Sequence, residues 1–333
     1  MLSYRQVRGE TPRHEPSCGR APPSDSMSDQ INVFDRALVA RRRDRAAAAD
    51  GDHDFLLARV AEDFAERLAI VQRQFPLALA LGDARGRVSA VLRTSRRVGT
   101  VIEADLAPAL LPAARDRLRV VADEEALPFA DASLDLVASG LTLHLVNDLP
   151  GALVQIRRAL KPDGLFLAAL LGGQTLDGLR AAWVAAEAEI HGGASPRVAP
   201  FADVRDLGAL LQRAGFALPV VDSDVVRVAY AEPLALMREL KAMGASNALA
   251  SRRRRPVTRR LLLRACEIYA DRHARPDGRV EATFEIITLT AWVPHPSQPK
   301  PLRPGSARTR LADALGVTEQ TLPARGRPGG EER

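Results

Sequence analysis

Between residues 75 and 171, short apolar runs alternate with stretches in which apolar positions recur every three or four residues. LALAL at 77–81 lies between Pro76 and Gly82 and predicts a buried strand. Helical spacing follows over 85–96, and VGTVIE at 98–103 predicts a second strand. Pro108 suits a first helical turn and opens a second helix. A short third strand is predicted at 120–121, a fourth at 134–139 (LDLVAS), and a helix over 149–160. KPDG at 161–164 has turn composition, and 165–171 reads as a fifth strand. Apolar strands each followed by a helix predict a parallel sheet covered on both faces.

Beyond Gly172 the pattern changes. Helices are predicted over 175–190 and 204–213, the second ended by Gly215, and strands over 220–228 and 282–293. The intervening 231–275 is helical and Arg-rich, an insertion expected to cap the sheet edge. The folded unit is therefore expected to span 31–293. Residues 1–30 are polar, Pro-rich and aperiodic and read as a disordered extension, with Met27 a candidate start. Residues 294–333 read as a mostly disordered tail with a short helix at 307–315.

Composition narrows the function classes. The 333 residues are 46% hydrophobic, enough for a sizeable core, and no apolar run approaches the ~20 residues needed to span a bilayer. The expectation is a soluble, cytoplasmic protein without a transmembrane segment. Net charge is +6, from 47 basic against 41 acidic residues. The basic residues are nearly all arginine, with lysine only at Lys161, Lys241 and Lys300, a bias of the kind a GC-rich genome imposes. Aromatics are 4% and form no stripe among the arginines, which argues against nucleic acid as a partner. Arginine clusters at 41–43 and 252–255 read either as docking points for an acidic partner or as solvated helix faces. Cys18 and Cys266 are too far apart in sequence to suggest a disulfide framework or a zinc site. The N-terminal stretch lacks the apolar core of a secretory signal, and Glu10, Glu15 and Asp25 argue against an organellar leader.

The order of elements is similar to a class I S-adenosylmethionine (SAM) methyltransferase: an α/β, seven-stranded, mostly parallel doubly wound sheet whose last strand runs antiparallel. Particular segments sharpen the resemblance. They include NVFDR at 32–36, FPLALALG at 75–82, ADEEALPF at 122–129, LTLHLVNDLPGAL at 141–153 and LKPDGLF at 160–166. GGQTL at 172–176, SPRVAPFADVRDLGALLQRAGF at 195–216, MGASNAL at 243–249 and PGSA at 304–307 continue it. Together these resemble the mitochondrial complex I assembly factor 5 family and its bacterial relatives, over roughly 31–307. A generic methyltransferase would share the first five strands but neither SPRVAPFADVRDL nor MGASN. The resemblance implies SAM as cofactor and a protein substrate, a complex I subunit whose arginine is hydroxylated during early assembly. It also implies a peripheral place at the inner membrane during assembly, with NVFDR folding over the cofactor as a lid. Two alternatives stand beside it. One is a malonyl-acyl-carrier-protein O-methyltransferase or small-molecule methyltransferase; the other is a non-enzymatic assembly chaperone with a degenerate SAM site.

Ligands of open α/β sheets bind beyond the carboxyl ends of the strands. Gly82 and Gly86 bracket the first loop, where the following helix presents free N–H groups; a plain turn is the alternative. Ala80 stands where such loops often carry a carboxylate, and Ala84 where they often carry a glycine. One lost charged hydrogen bond is worth about 1.5–3 kcal/mol, and Asp83 is the candidate to replace it. At the second strand end the family position for the ribose carboxylate is Asp105, followed by Leu106, with Glu103 as competitor. Asp123, with Glu124 beside it, matches the adenine position, though three consecutive acids also read as a solvated turn. Ser139 ends the fourth strand beneath the transferred group. His144 and Asn147 are the catalytic candidates. A histidine can take a proton near neutral pH, and the alternative is a packing histidine. Methyl transfer relies mainly on positioning. Hydroxylation usually calls for a redox cofactor, and no HxD or HExxH pattern is present among the six histidines. The sequence thus supplies no metal ligands by motif.

Overall fold

Seven strands form one sheet in the computed structural model, which describes residues 32–299 apart from 50, 52 and 112–116, together with 313 and 316. They are β1 (Phe75–Leu81), β2 (Val98–Asp105), β3 (Leu118–Val121), β4 (Leu134–Gly140), β5 (Leu160–Leu171), β6 (Ala217–Tyr230) and β7 (Val280–Trp292). The order is β3-β2-β1-β4-β5-β7-β6. Strands β1 to β5 pair in parallel, and β7 runs antiparallel to both β5 and β6, as the sequence predicted. The strand order reverses between β1 and β4, so the crevice for ligands lies beyond their carboxyl ends.

Strand periodicity divides the core into two layers. In β1, Ala78 and Ala80 face one side and Leu79 and Leu81 the other, all fully buried. The first layer packs under α2 (Phe55–Ile70), α3 (Arg87–Thr94), α5 (Asp177–His191), α7 (Pro233–Ala242) and α8 (Arg259–His273). The second packs under α4 (Leu149–Ala159) and α6 (Val204–Arg213). Each fully buried leucine contributes about 1.5–3 kcal/mol, which is why the apolar runs decide the sheet. Helix α1 (Arg36–Ala47) belongs to neither layer and lies against the 3-10 turn Pro108–Leu110, above the strand ends.

Local departures from the sequence reading have physical reasons. KPDG is not a separate turn but part of β5. Leu134 pairs with Leu160 while Leu136 pairs with Leu165, so the intervening residues bulge out of the ladder with Asp163 at φ +65°. Asp163 N still donates to Val293 O (3.1 Å), which holds the bulge to the sheet. Pro108 opens a 3-10 turn, Pro108–Leu110, and the stretch 112–116 beyond it, where the sequence predicts the second helix to run, lies outside the described residues. Helix α3 begins at Arg87, because Arg85 (φ 59°) and Gly86 (φ 78°) are left-handed. The 231–275 insertion divides in two. Helices α7 and α8 bury Leu236, Leu261, Ala265 and Tyr269 on the sheet face beside α5, and the connecting loop crosses the carboxyl rim. The cap thus covers the rim and a face of the sheet more than its edge. The predicted extension at 1–30, Met27, Cys18 and, except for residue 313, the helix at 307–315 lie outside the described residues. Among the described residues no helix is long and apolar enough to cross a membrane.

Candidate functional site

The rim is shaped first by the turn after β1. Gly82 has φ +70°, and a Cβ there would overlap the Thr142 side chain, so backbone passes where no other residue fits. Asp83 is buried, and its two carboxylate oxygens accept from Val88 N (2.7 Å) and Ser89 N (3.0 Å) at the start of α3. Burial raises its carboxyl above the ordinary range, and the bonds from Ser89 and Val88 offset part of that. Asp83 therefore holds the loop against α3. Ala80 sits in the apolar layer with Leu57 and Val88, where an unpaired carboxylate would be costly. Ser139 is fully buried, 3.3 Å from Thr142 Oγ1, in the same tight crossing.

The competing acids of β2 separate cleanly. Glu103 is directed at α3, where it accepts from Ser89 Oγ (2.8 Å), Arg93 (2.5 Å) and Arg117 (3.2 Å). Asp105 ends the strand at the rim, fully buried, with half-buried Leu106 after it. Its Oδ1 accepts from Ala107 N (2.8 Å), and Arg43 of α1 reaches both of its oxygens at 3.3 and 2.5 Å. Two turns earlier on the same face of α1, Arg36 donates to Asp123 (2.5 Å), Glu124 and the carbonyl of Leu145 (3.1 Å) and lies 3.4 Å from Glu125. Burial disfavours the Arg36 charge, but Glu124 and Asp123 outweigh it and raise the guanidinium above its usual value. Helix α1 thus covers the rim, and its arginines occupy both acids that the sequence assigned to the nucleoside. The sequence offers Arg36 within NVFDR and Arg43 within the 41–43 cluster, but not their partners; their seven-residue spacing, which puts them on one helix face, is the signal that could have paired them with the rim.

The two catalytic candidates sit side by side but act differently. Asn147 holds the segment before α1: its Oδ1 accepts from Phe34 N (2.7 Å) and its Nδ2 donates to Phe34 O (3.2 Å). His144 lines the cavity beside the rim, with Nδ1 accepting from Leu171 N (3.4 Å) and its ring edge-on to Phe201 at 5.5 Å. Burial, and then the charge of Arg43, push the His144 imidazole down to about 3. It is neutral and weakly basic as placed. The unfolded chain would bind a proton on this side chain below about pH 6.5 that the native state refuses until about pH 3. Stability should therefore rise with pH across that window, by at most about 1.4 kcal/mol per pH unit from this group. His144→Gln should remove that share. Urea unfolding of both proteins from pH 4 to 8 checks it, and a difference between them that does not vary with pH would rule it out.

A cavity of about 890 Å³ opens between α1, the 243–257 loop, the His144 turn and residues 197–201. Three segments with no part in the generic fold converge on it. Phe34 bridges Leu249, Asp35 N donates to Ala248 O (2.9 Å), and Ala250 N donates to Val33 O (2.9 Å). Asn247 Nδ2 donates to Pro196 O (2.9 Å), and Arg197 is held by Glu187. NVFDR, SPR and MGASN therefore make one wall. Among the described residues no group of three or more His, Cys, Asp or Glu side chains is arranged to hold a metal ion.

This sheet order, with a glycine turn after β1 and carboxylates ending β2 and following β3, defines a class I methyltransferase fold. The model of a methyltransferase domain matches residues 79–168. Among solved structures, the YcgJ protein from Bacillus subtilis superposes with a TM-score of 0.51 at 14% identity, covering 71% of this chain and 99% of that one. The arginine-hydroxylase NDUFAF5 of Danio rerio is 41% identical, covering 87% of this chain and 92% of its own. The Homo sapiens protein of that name is 39% identical over 93% and 91%. A malonyl-[acyl-carrier protein] O-methyltransferase of Halorhodospira halophila is 38% identical over 81% and 90%. The chain belongs to the NDUFAF5 family.

Proposed function

We propose that this protein is a SAM-binding enzyme that modifies an arginine on a protein partner, a subunit of respiratory complex I, during assembly. The observation that carries the reading is the 39–41% identity to proteins named arginine hydroxylase along nearly the whole of both chains. The rim fits the cofactor. Asp105 and Asp123 carry carboxylates where hydroxyl and amino donors would arrive, and Gly82 and Gly86, both at positive φ, turn the loop at the rim. SAM supplies an electrophilic methyl on a sulfonium. In this reading Asp105 and Leu106 hold the sugar, Asp123 and Glu124 the base, and Gly82, Gly86 and Ser139 shape the floor. Asp83 positions the loop, and Asn147 positions Phe34 and with it the lid. His144, neutral and facing the cavity, is placed to accept a hydrogen bond from an acceptor group.

In this reading Asp105 and Asp123 would release Arg43 and Arg36 to hold the cofactor, and α1 would act as the lid. The test has two parts. Calorimetric titration with SAM should give saturable binding. Mass spectrometry of complex I subunits from a deletion strain should show one arginine lacking a modification present in the parent. A gained oxygen on that arginine marks hydroxylation and a gained methyl marks methylation. Labelled methyl transfer to a malonyl-carrier protein, with no arginine difference, would replace this reading with the carrier-protein one.

A further inference from the structure

The cavity beside the rim has a charge pattern of its own. Its floor is apolar, with Leu57, Leu179 and Phe284 only 5%, 3% and 1% exposed. Its wall carries nine arginines against two carboxylates, Asp35 and Asp54. Both carboxylates are engaged. Asp35 accepts from Leu38 N (3.0 Å) and Arg252 (3.1 Å), and Asp54 accepts from Arg87 at 2.7 and 2.9 Å. Several of the arginines are also occupied, such as Arg43 by Asp105 and Arg85 by the carbonyls of Gly51, Ala46 and Ala49.

Arg42 differs. Its Nη1 is shut off from water and makes no hydrogen bond. Burial, then Arg252 and Arg45, push its guanidinium below the ordinary value. The arginines at 253–255 stand exposed at the mouth and make no ion pair among the described residues. A guanidinium with one nitrogen buried and unpaired, among arginines whose charge Asp35 only partly offsets, is costly, and a guanidinium is the side chain best matched to a carboxylate or phosphate. A positively charged occupant would add to the unbalanced charge. An anion with no apolar part would leave the floor unused, at about 25 cal/mol for each Å² not covered. The volume lies within the usual ~300–1,000 Å³ of small-molecule sites.

We propose that this cavity binds an apolar-tailed anion, its carboxylate or phosphate head against Arg42 beneath the arginines at 253–255 and its hydrocarbon chain on Leu57, Leu179 and Phe284. The cavity is the one His144 faces, so this site adjoins the reaction site proposed above, and its test uses the full chain without SAM so that its failure is distinguishable from failure of that reading. Trp183 lines the cavity, so energy transfer from tryptophan to bound parinarate reports occupancy, and competitors are ranked by displacing it. Decanoate and decyl phosphate should compete at least about tenfold better than decanol, and decyltrimethylammonium should not compete. Butyrate should be at least tenfold weaker than decanoate. Arg42→Gln should lose at least about tenfold in decanoate affinity, with folding checked by circular dichroism. Arg254→Gln, at an exposed position, should lose severalfold without affecting the fold. Flotation with phosphatidylglycerol against phosphatidylcholine vesicles separates the sources. Arg42-dependent flotation identifies a membrane lipid, and decanoate binding without flotation identifies a soluble acyl anion. Equal binding of decanoate and decanol, equal binding of butyrate and decanoate, or no displacement by any anion would each overturn the proposal.

Discussion

Replacing Asp105 with alanine is expected to weaken SAM binding at least about a hundredfold, while replacing Arg43 with alanine tightens it about tenfold. The asymmetry follows from the rim. Both oxygens of Asp105 are in use, by Ala107 N and by the two-point contact from Arg43, and the carboxylate is fully buried. In the reading proposed above, sugar hydroxyls would reach it by taking the place of Arg43. Two charged hydrogen bonds at about 1.5–3 kcal/mol each set the loss on removing the carboxylate. Removing Arg43 deletes the competitor and leaves Asp105 buried without its cation. The free Arg43→Ala protein should therefore melt lower than the parent, yet gain more from saturating SAM. Titration calorimetry and thermal shift with and without SAM measure both quantities. If the two substitutions weaken binding in parallel, Arg43 is a partner of the bound cofactor and α1 is not displaced.

The contrast between β1 and α1 shows what the sequence made legible. Strand β1 is apolar at every inward position on both faces, so seven residues suffice to announce it. Helix α6 was legible to the residue, because Asp203 caps its start by accepting from Asp206 N (2.9 Å) and left-handed Gly215 follows its end. KPDG misled because its turn chemistry sits inside a strand whose pairing with β7 is set more than a hundred residues downstream. Asp105 could be preferred over Glu103 only by resemblance. Two residues apart on one strand, they share a face, and it is Ser89 and Arg93 that draw Glu103 toward α3. Of the rim cover, resemblance suggested NVFDR as a lid, but not the helix behind it or the ion pairs that hold it down. Arg43 meets a carboxylate 62 positions away, and no local pattern records such a pairing. For the same reason Asp83 read as a free charge, although Val88 and Ser89 had already claimed it.

Glu187→Ala is expected to cost about 3–5 kcal/mol of stability, because Glu187 is the buried counter-charge of Arg197 in the cavity wall. Glu187 lies on α5 with its side chain 1% exposed. It accepts from Ser195 N (2.5 Å) and from Ser195 Oγ, and from Arg197 Nε (2.9 Å) and Nη2 (2.5 Å). Burial raises its carboxyl, but the bonds from Ser195 and Arg197 outweigh that and leave it below the ordinary range. Its contribution is therefore present above about pH 4.5 and lost as pH falls through the depressed value. Alanine leaves Arg197, itself 14% exposed, without a counter-charge beneath the ring of Trp183, 4.6 Å from its guanidinium. Urea unfolding at pH 7 should show the loss. The same titration at pH 3 should show a smaller one, since the parent has by then surrendered part of the interaction. A double substitution with Arg197→Met should recover part of the loss, because it removes the stranded cation along with its partner. A loss below about 1 kcal/mol at pH 7, or no recovery in the double variant, would mean that water and not Glu187 balances Arg197. The same ion pair explains why SPR is a motif at all: serine and arginine two residues apart close on one buried carboxylate, and Pro196 between them turns its carbonyl to Asn247 of the facing loop.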